Sequence, residues 1–177
     1  MEVVESKRVY EGRVVNLRVD TLRNASGKTH AAEVVEHAQA VVVMVRTGPD
    51  TVLLVRQYRH PLGRENWEMV AGGMDPGESV EAAAARELRE ETGYVAKRVT
   101  RLFSGFSAPG FCEELLHFCV VDDYEITDER SPDEGEEEME WGSFRLDDLL
   151  TMILDDRLPD VKTQLMVLWA LRARSSS

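Results

Sequence analysis

Three carboxylates stand close together in the run AAAARELREETG, residues 82–93: Glu87, Glu90 and Glu91. In a helix each residue advances ~100°, so positions i, i+3 and i+4 share a narrow arc. Like charges at that spacing repel by about 0.2–0.5 kcal/mol per pair, so something positive must compensate. Spacing alone leaves two readings open. One is a solvated acidic face, partly neutralised by Arg86 and Arg89. The other is a site for Mg²⁺ or Mn²⁺, hard cations that prefer clustered oxygen donors and take substrate phosphate oxygens as further ligands. A second pair of candidates, Arg56 and Arg59, closes an apolar strand in an acidic chain. Guanidinium forks suit phosphate oxygens, and the competing role is ion pairing with Glu65 or Glu68.

The elements that must position these groups are readable around them. Pro76 and Gly77 turn the chain, Ser79 is a helix N-cap, Glu81 sits where the helix dipole favours negative charge, and Gly93 is the C-terminal stop. Upstream, the β-branched runs Ala40 to Val45 and Thr51 to Val55, separated by Thr-Gly-Pro-Asp, predict a hairpin of buried strands. Downstream, Val99 to Phe103, Leu115 to Val121 and Trp141 to Leu146 predict strands. Helical spacing is expected over Leu146 to Leu154 and Val161 to Arg174. At the N-terminus, short apolar runs flank the turn cluster Asn24 to Gly27, which predicts an antiparallel meander over residues 1–37. So small a sheet cannot bury both faces by itself.

The chain has 177 residues, room for one sizeable core with an extension, and 43% of them are apolar. A net charge of −12 disfavours nucleic acid or an anionic membrane as partner. No apolar run approaches the ~20 residues of a membrane span, and the expectation is a cytoplasmic protein. Cys112 and Cys119 are too few for a disulfide framework or zinc site. The four histidines show no ligand spacing.

The segment from Gly72 to Tyr94 resembles the signature of the Nudix hydrolase family. Gly72 is followed after five residues by Glu78, and after seven more by Arg86-Glu87-Leu88-Arg89-Glu90-Glu91-Thr92-Gly93, with Tyr94 in the closing apolar slot. The resemblance implies an α/β/α sandwich with a mixed sheet over residues 38–174, plus the N-terminal antiparallel β extension. It implies Mg²⁺, or Mn²⁺ as a substitute, held by Glu87, Glu90, Glu91 and the carbonyl of Ala71. It also implies that Glu78 pairs with Arg86 to hold the loop on the helix, which brings Arg86 into the catalytic set. Met69-Val70 departs from the family's usual Leu-Pro before Ala71-Gly72.

The run Leu54 to Arg59, the N-terminal segment, and Pro109 fifteen residues beyond the box resemble the ADP-ribose pyrophosphatase branch. In that branch the second arginine, here Arg59, meets substrate. Glu33 falls near the adenine end, Glu114 keeps an acidic position after Pro-Gly-Phe, and the extension builds a homodimer interface exchanged between subunits. A mobile loop before the strand at Trp141 supplies the general base: the alignment points to Glu137, with Glu136 or Glu138 one residue away. The implied reaction is hydrolysis of a nucleoside diphosphate linked to another group, with ADP-ribose giving AMP and ribose 5-phosphate. FAD, NADH, a dinucleoside polyphosphate or a nucleotide sugar are alternative substrates within the class. A nucleotide sensor without hydrolysis, and an enzyme for oxidised nucleoside triphosphates, are rival functions.

Overall fold

A computed structural model describes residues 1–127 and 139–174. The chain divides into two compact units, one of Met1–Ala40 with Ser104–Leu116, the other of Val41–Phe103 with His117 onward.

In the first unit, β1 (Glu2–Glu11), β2 (Asn16–Arg23) and β3 (Thr29–Glu36) form an antiparallel sheet in that order. The turn between β2 and β3 is the predicted cluster. Gly27 adopts a φ of 83°, and Asn24 Oδ1 accepts the N–H groups of Ser26 and Lys28 at 3.0 Å each. Val3, Val9 and Tyr10 on β1 stay exposed. Val35 is bonded to the segment Ser104–Leu116 of the same unit: its N–H donates to the Phe111 carbonyl at 2.7 Å, and its carbonyl accepts from Glu113 N–H at 3.0 Å. Arg18 ties the same pieces together, donating to Asp20, Glu36 and Glu113.

The second unit is built on a mixed sheet. The strands of that sheet are β4 (Ala40–Gly48), β5 (Thr51–Arg59), β6 (Arg64–Glu68), β7 (Val70–Gly73), β8 (Tyr94–Phe106), β9 (Leu115–Ile126) and β10 (Glu140–Arg145), of which Ala40, the last three residues of β8 and the first two of β9 are counted in the first unit. Their main order is β10-β5-β4-β9-β8, with β6 paired to β5 and β7 to β4. Three helices complete it: α1 (Val80–Thr92), α2 (Leu146–Leu154) and α3 (Val161–Arg174). Strand alternation explains the layering. Val41, Val43 and Val45 pack with Leu53, Val55 and Val70 against Ala83, Ala84 and Leu88 of α1. Val42 and Met44 point the other way and are equally sealed, as are Leu149 of α2 and Met166 and Val167 of α3. The result is the expected α/β/α sandwich.

The caps of α1 are the predicted ones. Ser79 has extended φ and ψ, and its hydroxyl accepts the Ala82 N–H at 3.2 Å; Gly93 closes the helix at a φ of 76°, with its N–H on the Arg89 carbonyl. Several strands run longer than the apolar runs suggested. β5 extends through Arg56 to Arg59, and β8 begins at Tyr94 rather than Val99, because pairing partners carry a strand through charged residues that only need one solvated face.

Candidate active site

The loop Gly72–Ser79 and helix α1 are joined through one guanidinium. Arg86 Nε and Nη2 fork onto the two oxygens of Glu78 at 3.1 and 2.9 Å. Nη1 donates to Glu87 Oε1 at 2.7 Å and to Glu90 Oε2 at 3.0 Å, and Nη2 also reaches the Gly73 carbonyl at 2.8 Å. All five N–H groups of the side chain are thereby used. The hydrogen bonds from Arg86, with one from the Asp75 N–H, hold Glu78 below the ordinary carboxylate range against the opposing effect of burial. Arg86 is raised in turn, first by its bond to Glu78. The positive group that the clustered acids require is therefore present in the chain, as the first of the two spacing-based readings has it.

Glu87 lies hard against the backbone that precedes the loop. A Cβ at Gly72 would overlap its carboxylate, so any other residue there must push the Glu87 side chain aside. Glu91, one turn further on the same arc as Glu87, is only 2% exposed. Its Oε2 is buried and accepts no hydrogen bond among the described residues, although the side chain has other interactions. Among those residues no three acidic, histidine or cysteine groups converge on one point. The donor chemistry nevertheless fits a hard divalent cation: carboxylate oxygens on one helix, with Glu87 against the main chain at Gly72 and Glu91 Oε2 desolvated.

The arginines of β5 are both paired. Arg56 meets Glu65 and, across the strand pair, Glu140 at 3.0 Å. Arg59 forks onto Glu68 through Nε at 2.9 Å and Nη2 at 2.7 Å, which leaves Nη1 for another acceptor. The Glu68 hydrogen bonds, and more weakly the charges of Glu91 and Asp160, raise the Arg59 pKa against burial. Glu68 is 3% exposed; burial works to raise its pKa, and Arg59, Lys162 and Asn66 together outweigh burial and bring it below the usual value.

Arg86, Glu87 and Glu90 are thus in direct contact, Glu91 lies on the same helix, and Arg59 is bound to Glu68. Glu33 and Glu114 belong to the first unit: Glu33 is exposed on β3 opposite Val19, and Glu114 lies 3.5 Å from His37 Nδ1. Glu136, Glu137 and Glu138 lie outside the described residues. Sequence reasoning missed the part of the network beyond Glu68, made by Asp160, Lys162 and Thr163. Its one local signal is Asp160, a helix N-cap residue three positions before Thr163.

A mixed-sheet sandwich with a capped acidic helix behind a glycine loop defines a class of α/β domain with a polar, carboxylate-rich site on that helix. Residues 36–165 match the model of the NUDIX domain, and the chain belongs to the Nudix family. It is 32% identical over 162 residues to the ADP-ribose pyrophosphatase of Bacillus subtilis (strain 168), covering 92% of this chain and 88% of the relative. It is also 32% identical over 166 residues to the methanol dehydrogenase activator of Bacillus methanolicus, covering 94% and 90%. A crystal structure of an ADP compounds hydrolase superposes with a TM-score of 0.83 at 23% identity, over 97% of this chain and 92% of that one, a likeness of fold. No helix among the described residues is long and apolar enough to cross a membrane.

Proposed function

We propose that the protein hydrolyses the pyrophosphate bond of a nucleoside diphosphate derivative, with ADP-ribose as substrate and AMP and ribose 5-phosphate as products. The observation that carries this reading is the carboxylate group on α1, latched by Arg86 against Gly72 and Gly73, in a Nudix chain whose similarity to an ADP-ribose pyrophosphatase runs over most of both lengths.

Glu87, Glu90, Glu91 and the Ala71 carbonyl would hold Mg²⁺, or Mn²⁺ in its place, which when bound neutralises diphosphate charge and makes water a better nucleophile. The chain's own residues do the rest. Arg86 keeps the loop on the helix and screens Glu87 and Glu90 from each other. Arg59, preset by Glu68, turns Nη1 toward a phosphate oxygen, and Arg56 adds positive charge beside it. A carboxylate in the sequence preceding β10, Glu137 with Glu136 and Glu138 as alternatives, takes the proton from the attacking water, a contribution of roughly 10²–10⁴-fold. Glu33 and Glu114 meet the nucleoside end. The three-stranded sheet forms the interface of a homodimer, a role its exposed Val3, Val9 and Tyr10 support.

A panel of ADP-ribose, FAD, NADH, a dinucleoside polyphosphate and a nucleotide sugar, each with Mg²⁺ and with products identified, tests the reading. Fastest release of AMP from ADP-ribose is expected. A preference for another member corrects the substrate, and cleavage of none refutes the function. The similarity to a methanol dehydrogenase activator favours a second reading, in which the same site serves a partner enzyme. Its test is whether the protein changes the rate of an alcohol dehydrogenase, and whether Glu91→Gln abolishes that change.

A further inference from the structure

The first turn of α3 is wired to the strand that enters the site, through two separate connections. Asp160 caps the helix, its Oδ2 accepting the Thr163 N–H at 2.9 Å and the Thr163 hydroxyl at 2.6 Å. The cap alone would be ordinary helix chemistry. Yet the same Thr163 hydroxyl accepts the Met69 N–H at 2.8 Å. Thr163 is fully buried, and Met69 is 1% exposed. Met69 lies two residues before Ala71, at the junction where β6 ends and β7 begins. The second connection is Lys162. Its Nζ bonds Asp160 Oδ1 at 2.6 Å and lies 3.5 Å from Glu68 Oε2, and Glu68 is the carboxylate that forks onto Arg59. One helix turn therefore grips both the main chain of Met69 and the side chain of its neighbour Glu68.

We propose that this turn is a positioning unit of the active site, with Thr163 setting the main chain that carries the Ala71 carbonyl and Lys162 setting Glu68 against Arg59. The proposal rests on the function proposed above and assigns roles to residues almost a hundred positions away from those they hold. Its physical basis is pre-organisation. A buried N–H with one acceptor has one direction, so the chain from Met69 to Gly72 cannot rotate without losing that bond. Glu68 is desolvated, so the charges around it decide where it stays, and Arg59 follows.

The test compares Thr163→Val, Thr163→Ser and Lys162→Met with the full wild-type chain. Four quantities are read: hydrogen exchange at the Met69 amide, Mn²⁺ affinity by water-proton relaxation, Tm, and kcat and KM for ADP-ribose with Mg²⁺. Thr163→Val is expected to speed exchange at Met69, weaken Mn²⁺ binding and lower kcat about tenfold, as a sub-ångström displacement of a positioned group does, while Thr163→Ser restores all three. Lys162→Met is expected to raise KM and leave Mn²⁺ affinity as in the wild type. A Thr163→Val protein with lower Tm but wild-type kcat and Mn²⁺ affinity overturns the proposal, as does a Ser variant that fails to restore them or an unchanged KM in Lys162→Met. A wild type that cleaves no nucleoside diphosphate overturns the functional reading instead; normal wild-type turnover with an unaffected Thr163→Val overturns only the positioning.

Discussion

Substituting Gly72 by alanine places a methyl group where the Glu87 carboxylate now lies. The obstacle is the far end of a side chain, so Glu87 escapes by rotating about its own bonds and the backbone can stay. What it loses is the 2.7 Å bond from Arg86 Nη1. A charge-assisted hydrogen bond in a partly buried setting is worth about 1.5–3 kcal/mol, and water regained by the freed carboxylate offsets part of it. The expected stability loss is therefore about 1–2 kcal/mol, a fall in Tm of roughly 2–8 °C for a domain of this size. Activity should suffer far more, because a metal-binding group displaced by about 1 Å costs on the order of 10²-fold. Gly73→Ala is the internal control: a Cβ there meets nothing within 4 Å, so its stability should stay within about 0.5 kcal/mol of wild type. Urea unfolding and Mg²⁺-dependent turnover are measured on both variants. If Gly72→Ala keeps full turnover, or if the two variants behave alike, the placement of Glu87 against the loop does not matter to catalysis and the reasoning fails.

Other outcomes follow from the same site. Glu91→Gln should remove nearly all Mg²⁺-dependent turnover while circular dichroism stays that of the folded chain; near-normal activity refutes the metal assignment. Glu137→Gln should lower turnover more than the same change at Glu136 or Glu138, and small equal effects at all three would mean that the base lies elsewhere. Glu68 has a folded pKa below its unfolded value of about 4.5, so it contributes stability that is present above that value and lost as pH falls through the folded one. Thermal unfolding from pH 6 to pH 3 should show a steeper acid limb in the wild type than in Glu68→Gln; identical slopes would remove the Arg59–Glu68 pair from the account.

How far the sequence reveals this protein depends on whether a feature is local. Helix α1 is legible to the residue because its signals lie within it: the Ser79 hydroxyl, Glu81 in the first turn, and Gly93 at positive φ. The Arg86 contact with Glu90 is legible for the same reason, as a neighbour at i+4, whereas the contact with Glu87 at i+1 is not a spacing rule's to report. The pairing of Arg86 with Glu78 came from family resemblance, and the 2.8 Å bond to the Gly73 carbonyl from the structure alone. Strand lengths were underestimated at Arg56 to Arg59 and Tyr94 to Arg98, where the residues are polar or mixed and partners across the sheet decide. The short strands β6 and β7 carried no periodic signal that could be read. The grip of Thr163 on Met69 joins residues brought together only by the winding of the chain, and no spacing rule reports it.

The decisive measurement is release of AMP from ADP-ribose as Mg²⁺ is titrated from excess chelator to saturation. No AMP is expected in chelator, with release that rises and saturates with Mg²⁺ and ribose 5-phosphate in equal amount. Release that proceeds equally well in chelator, or no release at any Mg²⁺ concentration, would contradict the proposed metal-dependent hydrolysis.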